Sequence, residues 1–339
     1  MTSALKFSII LPVHNGMEYI KECIDSILKQ NYSSFDLIVL ENGSTDGTLE
    51  WLQSISDNRL KIFPTDTFIS MKDNWIRIKD VPKNEFFAII AHDDLLDNDY
   101  LEVMNRLIRK DPNATLYQTH FRYINSQGEF DRNCLPMAET QHSYEFLANQ
   151  FQRTFDSMGT GYMMRTSDFN KVGGFSSYHN LIFGDLELWF KLTDIGYKAT
   201  AIEECFSYRE HNSISVRTSV FEYKKALFKY LFFMKNQALR NNKLNIIINR
   251  YLSEYLHYMC KGLIYRELLN KQHQNSDATI VKDFQSTSIE LLPHINTNFN
   301  NDIYIKFYLF LDRIIIGRSI FRGLVFIKSK VKLMIMNKY

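Results

Sequence analysis

The chain has 339 residues, of which 45% are hydrophobic and 23% are charged, and its formal net charge at pH 7 is +2. These values fit an ordinary soluble globular protein with one large domain and an appendage, or with two domains. No stretch approaches the roughly 18 uninterrupted apolar residues of a transmembrane helix. The N-terminal sequence MTSALKFSIILPVHNG predicts a first strand rather than a signal peptide.

The four cysteines are far apart in the sequence and form no CxxC pair: Cys23, Cys134, Cys205 and Cys260. Clustered cysteines are typical of zinc sites and of the disulfide frameworks of small secreted domains. The spacing here therefore favours reduced thiols in a cytoplasmic protein.

The first third of the chain alternates short apolar runs with amphipathic stretches. Apolar runs predict buried strands at 6–13, 35–41, 60–64 and 85–91. Helical spacing of apolar residues predicts helices at 17–30, 48–56 and 70–80, with Ser44 or Thr45 as the cap of the second helix. Strand–helix alternation of this kind predicts an open, mostly parallel α/β sheet with helices on both faces.

Beyond residue 100 the pattern is more irregular, and beyond about 217 it is mostly helical. We predict helices at 100–110, 143–152 and 185–196, strands at 114–125 and 199–211, and a loop-rich segment at 126–143. Long aromatic-rich helices follow at 219–242 and 245–272, with a break at 273–288. The sequence therefore predicts an α/β domain at 1–216 and a helical C-terminal region at 217–339.

Polar clusters follow three of the predicted strands: HNG at 14–16, ENGSTDG at 41–47 and HDD at 92–94. Open α/β sheets bind ligands in the crevice beyond the carboxyl ends of their strands, so these clusters share one rim. The sequence has neither a G-x-G-x-x-G dinucleotide motif nor a P-loop. If phosphates bind at this rim, a metal held by carboxylates is the expected substitute.

Eight short motifs between residues 6 and 216 carry a resemblance to a known family. They are SIILPVHNG, LIVLENGSTDGT, KDNWIRI, HDDLLDNDYL, VGGF, GDLELWFKL, GY and YREH. Their order and spacing resemble those of family 2 inverting glycosyltransferases with the GT-A fold. The resemblance implies transfer of a sugar from a nucleotide-activated donor, most simply a UDP-sugar, with Mn²⁺ or Mg²⁺ bridging the diphosphate.

The resemblance assigns the metal to Asp93, and His211 to the metal or the phosphates. Mg²⁺ and Mn²⁺ take one or two carboxylates together with phosphate oxygens and water. Asp185 is predicted to be the general base, because inversion requires an acceptor hydroxyl to be deprotonated opposite the leaving group. Helix capping is the alternative role for Asp185 and also for Asp94 and Asp97, and Glu187 is the second candidate for the base.

The nucleobase and ribose are predicted to contact polar residues at the strand ends. The nucleotide-binding set is Pro12, His14, Asn15, Glu41, Asn42, Ser44, Asn74, Arg77 and His92. For Asn15 and Asn42, which precede glycines, ordinary turn chemistry is the alternative explanation, and both can hold together. Arg209 is open to two interpretations, a phosphate partner or a surface ion pair.

Three positions depart from the common family pattern. Glu41-Asn42 replaces two aspartates, Ala91 replaces the first carboxylate of the D-x-D motif, and Gly184 replaces the glutamate before the catalytic aspartate. Two other functions therefore stay open: a sugar-phosphate nucleotidyltransferase, and a carbohydrate-binding homologue without activity. LPVHNG lacks the basic, glycine-rich loop that a nucleotidyltransferase needs.

The C-terminal tail, 305–339, interleaves basic residues with bulky apolar ones, among them Arg313, Arg318, Arg322, Lys328, Lys330 and Lys332. Such a tail can lie on an anionic membrane, which would suit a glycan or lipid-linked glycan acceptor, or pack as an ordinary helical subdomain. The long helices at 219–272 can equally form a homodimer interface. We expect a cytoplasmic protein, with peripheral attachment to the inner membrane as one option, no nucleic-acid partner, and a role in O-antigen or capsule synthesis.

Overall fold

A computed structural model describes residues 4–210, 218–269, 277–294, 299–313 and 321–322. The chain divides into two compact units, Met1–Thr218 and Ser219–Tyr339. The first unit contains the strands, and the second is built from helices.

The described part of the first unit contains a ten-stranded sheet. Eight strands form a continuous path in the order β3-β2-β1-β4-β9-β6-β10-β5, while β7 pairs with β6 and β8 pairs with β10. The strands are β1 Phe7–Val13, β2 Phe35–Glu41, β3 Leu60–Ile62, β4 Phe86–Ile89, β5 Leu95–Leu96, β6 Leu116–Ile124, β7 Phe130–Asn133, β8 Thr140–Gln141, β9 Tyr162–Arg165 and β10 Lys198–Arg209.

The first four strands in the order, β3 to β4, are all parallel. β1 and β2 are buried along their whole length, as expected for strands of a parallel sheet that is covered on both faces. Their register pairs Val13 with Glu41, so the polar segments that follow both strands begin side by side. The polar segments after β1 and β2 therefore share one edge of the sheet, as the strand pattern predicts.

The remaining part of the sheet is mixed. β9 runs antiparallel to both β4 and β6, whereas β6 and β10 are parallel to each other. β7, β8 and β9 were not predicted, because each has at most four residues and two of them lie in the loop-rich segment. The antiparallel strand β9 brings the loop before it, with Gly159, Thr160 and Gly161, to the same rim as the end of β4.

Seven α-helices accompany these strands in the described part of the first unit. Helix α1 illustrates why they form, since Ile20, Cys23, Ile24 and Ile27 recur at helical spacing and are all buried. The helices are α1 Ile20–Leu28, α2 Thr48–Gln53, α3 Met71–Ile76, α4 Tyr100–Lys110, α5 Ser143–Gln152, α6 Thr166–Lys171 and α7 Gly184–Asp194. The predicted cap of α2 is wrong: its N-cap is Gly47, and Asp46 accepts the Thr48 N–H at 3.1 Å.

The second unit contains four α-helices in its described part, α8 Val220–Ala238, α9 Asn242–Leu269, α10 Asp277–Leu291 and α11 Ile303–Arg313. The predicted break at 273–288 is wrong, because α10 occupies most of it. Ile280, Val281 and Phe284 are buried at helical spacing, but the polar residues between them obscure the pattern in the sequence. Among the described residues, no helix combines the length and the apolarity that crossing a membrane requires.

Candidate active site

The turns after β1 and β2 are joined to each other by hydrogen bonds. The Asn15 N–H donates to Ser44 Oγ at 2.9 Å, and the Thr45 N–H donates to Asn15 Oδ1 at 2.8 Å. The Gly16 N–H donates to Thr48 Oγ1 at 2.9 Å. Asn15 has a φ of 51°, a conformation that asparagine tolerates better than most residues. Asn15 and Ser44 therefore shape this part of the rim by fixing its backbone.

Glu41 and Asn42 are buried and already hydrogen-bonded within the chain. The Glu41 carboxylate accepts the N–H groups of Ser44 and Gly43 at 2.7 and 3.2 Å. The Asn42 amide donates to Ile69 O at 2.8 Å and accepts the Ile69 N–H at 3.0 Å. The two side chains that replace the usual aspartates therefore hold the backbone of the loops around the strand ends.

Asn74 and Arg77, on and just after α3, form a second layer behind these turns. Asn74 Nδ2 donates to Leu40 O at 3.1 Å, while Asn74 Oδ1 accepts Arg77 Nη1–H at 2.7 Å. The Arg77 guanidinium also donates to Phe63 O at 2.7 Å and to Glu41 O at 3.3 Å. Burial lowers the pKa of Arg77 from its usual value, and the Glu41 charge opposes that change. Both side chains brace the strand ends.

The open surface at this end of the rim is formed by His14 and Phe68. The two rings lie 4.5 Å apart between centroids, and His14 Nδ1 is 2.8 Å from Asn42 O. Phe68 is 58% exposed, although large aromatic side chains are usually buried to a greater extent. Phe68 was not predicted as a site residue, because its only signal is a single aromatic residue in the polar segment PTDTFIS between a strand and a helix. Pro12 is buried inside β1 beneath this surface.

The loop that contains Phe68 is in close contact with the turn after β2. Gly43 has a φ of +58°, and a Cβ added there would lie 2.7 Å from Phe68 N and 2.8 Å from the Thr67 carbonyl carbon. Such separations are too short for non-bonded atoms, so only glycine fits at this position without displacing the loop. The turn and the loop are therefore packed backbone to backbone.

The HDD segment follows β4 and places its three side chains in different surroundings. His92 and Asp93 are partly exposed, whereas Asp94 is 1% exposed. Asp94 accepts Thr160 Oγ1–H at 2.7 Å and the Arg209 N–H at 3.0 Å, so it joins this loop to two other segments. Burial, and after it the charge of Asp93, raises the pKa of Asp94 well above its usual value. Neither Asp94 nor Asp97 is the N-cap of α4, which is Asp99.

Asp185 is the second residue of α7 and is therefore not its N-cap. Three residues just before it have positive φ values, namely Asn180 at 47°, Leu181 at 58° and Phe183 at 65°. Non-glycine residues rarely adopt this conformation, and such strain is concentrated at functional sites. Burial raises the pKa of Asp185 to about 6, although the Leu186 N–H opposes this change. A carboxylate with this pKa is suited to accept a proton near neutral pH.

Glu187, the second candidate for the base, is already engaged in hydrogen bonds and an ion pair within the chain. Its carboxylate accepts hydrogen bonds from Ser176 Oγ and from Tyr178 Oη, the latter at 2.5 Å, and pairs with Lys191 Nζ at 2.5 Å. Burial alone would raise the pKa of Glu187, but these donors lower it overall. The structure therefore favours Asp185 over Glu187 as the proton acceptor.

The acidic residues converge on one side of the rim. Asp94, Asp93, Glu210 and Asp185 all raise the pKa of the Tyr208 hydroxyl, in addition to the larger effect of burial. Asp185 Oδ2 lies 3.3 Å from the position of a Cβ at Gly159, next to the Thr160 that bonds Asp94. A diphosphate would be repelled by those of these carboxyl groups that are ionised, and a cation beside it would offset that repulsion.

The donor set fits a hard divalent cation only together with other ligands. The described residues contain no group of three or more His, Cys, Asp or Glu side chains that could hold a metal. A Mg²⁺ or Mn²⁺ site of one carboxylate, phosphate oxygens and water needs no such group, and Asp93 is the residue that would supply the carboxylate. The other predicted ligand, His211, lies outside the described residues.

Structural comparison defines the class of this fold. The chain is similar to S. aureus TarS 1–349 in complex with UDP-GlcNAc, with a TM-score of 0.64 and 16% identity over 84% of this chain and 81% of TarS 1–349. It is also similar to the mannosyltransferase PcManGT from Pyrobaculum calidifontis in complex with GDP-Man and Mn²⁺, with a TM-score of 0.51 and 14% identity over 95% of this chain and 88% of that protein. The predicted GT-A fold with a helical C-terminal region is confirmed.

Sequence comparison identifies the family. Residues 8–173 match the sequence model of glycosyl transferase family 2, which supports the predicted family. It is 26% identical to the glycosyltransferase GlyG of Streptococcus pneumoniae over 36% of this chain and 42% of GlyG. It is also 26% identical to an uncharacterized glycosyltransferase of Rickettsia typhi over 63% of this chain and 66% of that protein. The chain thus spans less than two thirds of the length of these relatives.

Proposed function

We propose that this chain transfers a sugar with inversion from a nucleotide-diphosphate donor to a hydroxyl group of a glycan or lipid-linked glycan. The observation that carries the proposal is the position of Asp93 and Asp185 on one rim: Asp185 Oδ2 lies 3.3 Å from the Cβ position of Gly159, and the adjacent Thr160 donates to Asp94, the neighbour of Asp93. A UDP-sugar is the first donor to test, because TarS is similar in fold and was crystallised with UDP-GlcNAc. GDP-mannose is the second, because PcManGT was crystallised with GDP-Man.

In this proposal Asp185 accepts the proton of the acceptor hydroxyl as that oxygen attacks the anomeric carbon. The bond from the anomeric carbon to the donor phosphate oxygen breaks, and the nucleoside diphosphate leaves on the opposite face. General-base catalysis of this kind contributes about 10²–10⁴-fold to a rate. The raised pKa of Asp185 supports this role, because a more basic carboxylate is a better proton acceptor.

We assign the nucleoside to the surface formed by His14 and Phe68, over the braced turns that contain Asn15, Ser44 and Asn42. Exposed aromatic rings stack on bases, and base–aromatic stacking is worth about 1–3 kcal/mol per base in nucleic-acid complexes. Asp93 would hold a divalent cation, together with His211 by resemblance, and a bound cation would supply charge stabilisation for the leaving diphosphate. His92 lies between the two parts of the rim, with its Cδ2 3.1 Å from the Cβ position at Gly16.

We assign catalysis to residues 1–216 and acceptor delivery or association to the helical region 217–339. Helix α11 supports the second assignment, because Ile303, Tyr304, Phe307 and Phe310 are 49–74% exposed. Such a face suits an anionic membrane surface or a second copy of the chain. The basic residues Arg318, Lys328, Lys330 and Lys332 lie outside the described residues. Cell-surface polysaccharide, such as O-antigen or capsule, is the proposed product.

Donor hydrolysis tests the proposal without knowledge of the acceptor. Purified protein with Mn²⁺ is incubated with a panel of UDP-sugars and GDP-mannose, and release of the nucleoside diphosphate is measured. We expect slow release from one donor, loss of release with EDTA, and at least about 100-fold slower release with Asp93→Ala, since the metal contribution amounts to several kcal/mol.

Asp25→Asn is the matched control, because Asp25 is an exposed carboxylate on α1 that pairs only with Lys29 among its described contacts. It should hydrolyse the donor as fast as the wild type. Turnover that is unchanged in Asp93→Ala would refute the assigned role of Asp93. Absence of turnover with every donor would favour a carbohydrate-binding homologue, and release of pyrophosphate from a nucleoside triphosphate and a sugar phosphate would favour a nucleotidyltransferase.

A further inference from the structure

Arg209, the last residue of β10, connects the Asp93 loop to three other segments. Its guanidinium is 1% exposed and donates through Nε to Asp93 O at 2.7 Å and through Nη2 to Glu22 Oε2 on α1 at 2.7 Å. Nη1 lies 3.4 Å from the carbonyl oxygens of Asn125 and Ser126, in the turn after β6. The guanidinium also lies over the Tyr19 ring, 4.7 Å from its centroid.

The backbone of Arg209 takes part in the same arrangement, because its N–H donates to Asp94 Oδ1 at 3.0 Å. One residue thus contacts the carbonyl oxygen of Asp93 and the side chain of Asp94. The first contact fixes the peptide unit between Asp93 and Asp94, and the second fixes the side chain of the next residue. The direction of the Asp93 carboxylate therefore depends on Arg209.

The guanidinium is suited to this position for chemical reasons. Arginine presents five N–H donors in a rigid, planar arrangement, whereas lysine has one compact ammonium group with three donors. A buried cation also requires a counter-charge, and Glu22 provides it from a side chain that is itself 56% exposed. Because its donors point to carbonyl oxygens and to Glu22, the guanidinium faces the protein, and a role as a direct phosphate partner is disfavoured.

We propose that Arg209 is a positioning residue that sets the affinity of the Asp93 site for a divalent cation, with Glu22 holding Arg209 in place. The inference rests on the proposed metal role of Asp93. Outer partners of metal ligands typically change metal affinity by about 10–100-fold when they are mutated. Here the outer partner acts through the backbone of Asp93, by the hydrogen bond from Arg209 Nε to Asp93 O.

The experiment measures binding of Mn²⁺ directly, by the electron paramagnetic resonance signal of free Mn²⁺ in the presence of UDP. We expect Arg209→Lys to raise the dissociation constant for Mn²⁺ by about 10–100-fold. Glu22→Gln keeps the shape of the partner and removes its charge, so we expect a smaller increase of about three- to tenfold. Thermal unfolding of each variant is recorded alongside.

Arg132→Lys is the matched control. Arg132 also lies on the first unit, pairs with Asp156 at 2.9 Å and covers the Tyr123 ring at 3.7 Å, but it contacts neither Asp93 nor Asp94 among its described partners. It should bind Mn²⁺ like the wild type, so a general effect of losing a guanidinium is separated from the specific one.

Each outcome decides the inference. Wild-type affinity in Arg209→Lys overturns it while leaving the metal role of Asp93 intact. If Arg209→Lys does not fold, Glu22→Gln decides, and unchanged affinity in that variant overturns the inference. Absence of Mn²⁺ binding by the wild type would instead refute the proposed metal role and the inference with it.

Discussion

The two sides of the strand-end rim differ in how their polar side chains are used. On the side of β1 and β2, the polar side chains of Glu41, Asn42 and Arg77 are hydrogen-bonded to the backbone around them. On the side of β4 and α7, Asp94 and Asp185 are carboxyl groups whose pKa values burial raises. On the first side, the polar side chains fix the backbone conformation of the loops. On the second side, several carboxyl groups are buried close together.

This difference indicates that the two sides of the site suit different parts of a ligand. A surface that is rigid and internally paired can recognise a flat, neutral base through shape and stacking, at little cost in ordering. A surface with several buried carboxyl groups is unfavourable by itself and becomes favourable when a proton or a cation arrives. Substitutions on the two sides should therefore affect different quantities.

The largest effect is expected for Asp185→Asn. The amide cannot accept the proton of the acceptor hydroxyl, so the rate of sugar transfer should fall by about 10²–10⁴-fold. The dissociation constant for the nucleoside diphosphate, measured by calorimetry with Mn²⁺, should stay within about threefold of the wild-type value. A variant that keeps more than a tenth of the transfer rate would exclude Asp185 as the base.

The same substitution should stabilise the folded protein at neutral and alkaline pH. The pKa of Asp185 is about 6 in the folded state against about 3.9 in an unfolded chain, so its ionised form is disfavoured by folding. The unfavourable contribution, on the order of 1–3 kcal/mol, is complete above pH 6 and disappears as the pH falls towards 4. Thermal unfolding of Asp185→Asn and wild type should differ at pH 8 and coincide near pH 4.

The dependence of activity on pH is the next effect in size. Because the base must be ionised, kcat/KM should rise about tenfold per pH unit below 6 and level off above it. Initial rates between pH 5 and 8, with donor and Mn²⁺ held constant, measure this profile. A profile that is flat across pH 6 would contradict the assignment of this pKa to the catalytic base.

The smallest effect on chemistry is expected for Asn42→Ala. The change leaves the N–H and carbonyl of Ile69 without the Asn42 amide, which should cost about 1–3 kcal/mol of stability. We expect a lower melting temperature and a higher KM for the donor, with kcat nearly unchanged. Thr65→Ala is the control, since its contact with Asn42 Oδ1 is long, at 3.4 Å. A large fall in kcat without a loss of stability would contradict the structural role.

Much of the fold could be predicted from the sequence because it is recorded in local periodicity. The buried runs of β1, β2 and β4 and the helical spacing of α1 and α4 each depend only on neighbouring residues. The position of Asp93 followed from the same pattern, since it comes immediately after an apolar run. β7, β8 and β9 were not predicted because strands of two to four residues are too short to show a periodic pattern, and they form through pairing with other strands of the sheet.

Other features of the site depend on contacts between residues distant in sequence. The Glu187 carboxylate accepts hydrogen bonds from Ser176 and Tyr178 and pairs with Lys191, whereas these residues do not bond Asp185. The sequence around the two residues does not show this difference. Arg209 meets Glu22 across 187 positions. Such pairings arise from tertiary packing, so a single sequence cannot indicate which polar group is engaged and which is available.

The backbone contact between Gly43 and the loop of Thr67 and Phe68 has an evolutionary consequence. A side chain at position 43 would push that loop outwards, and a change in the loop would leave the glycine turn without its neighbour. Under the proposed function, the loop presents the ring that meets the base. An enzyme that came to bind a different base through this loop would therefore have to change both segments together.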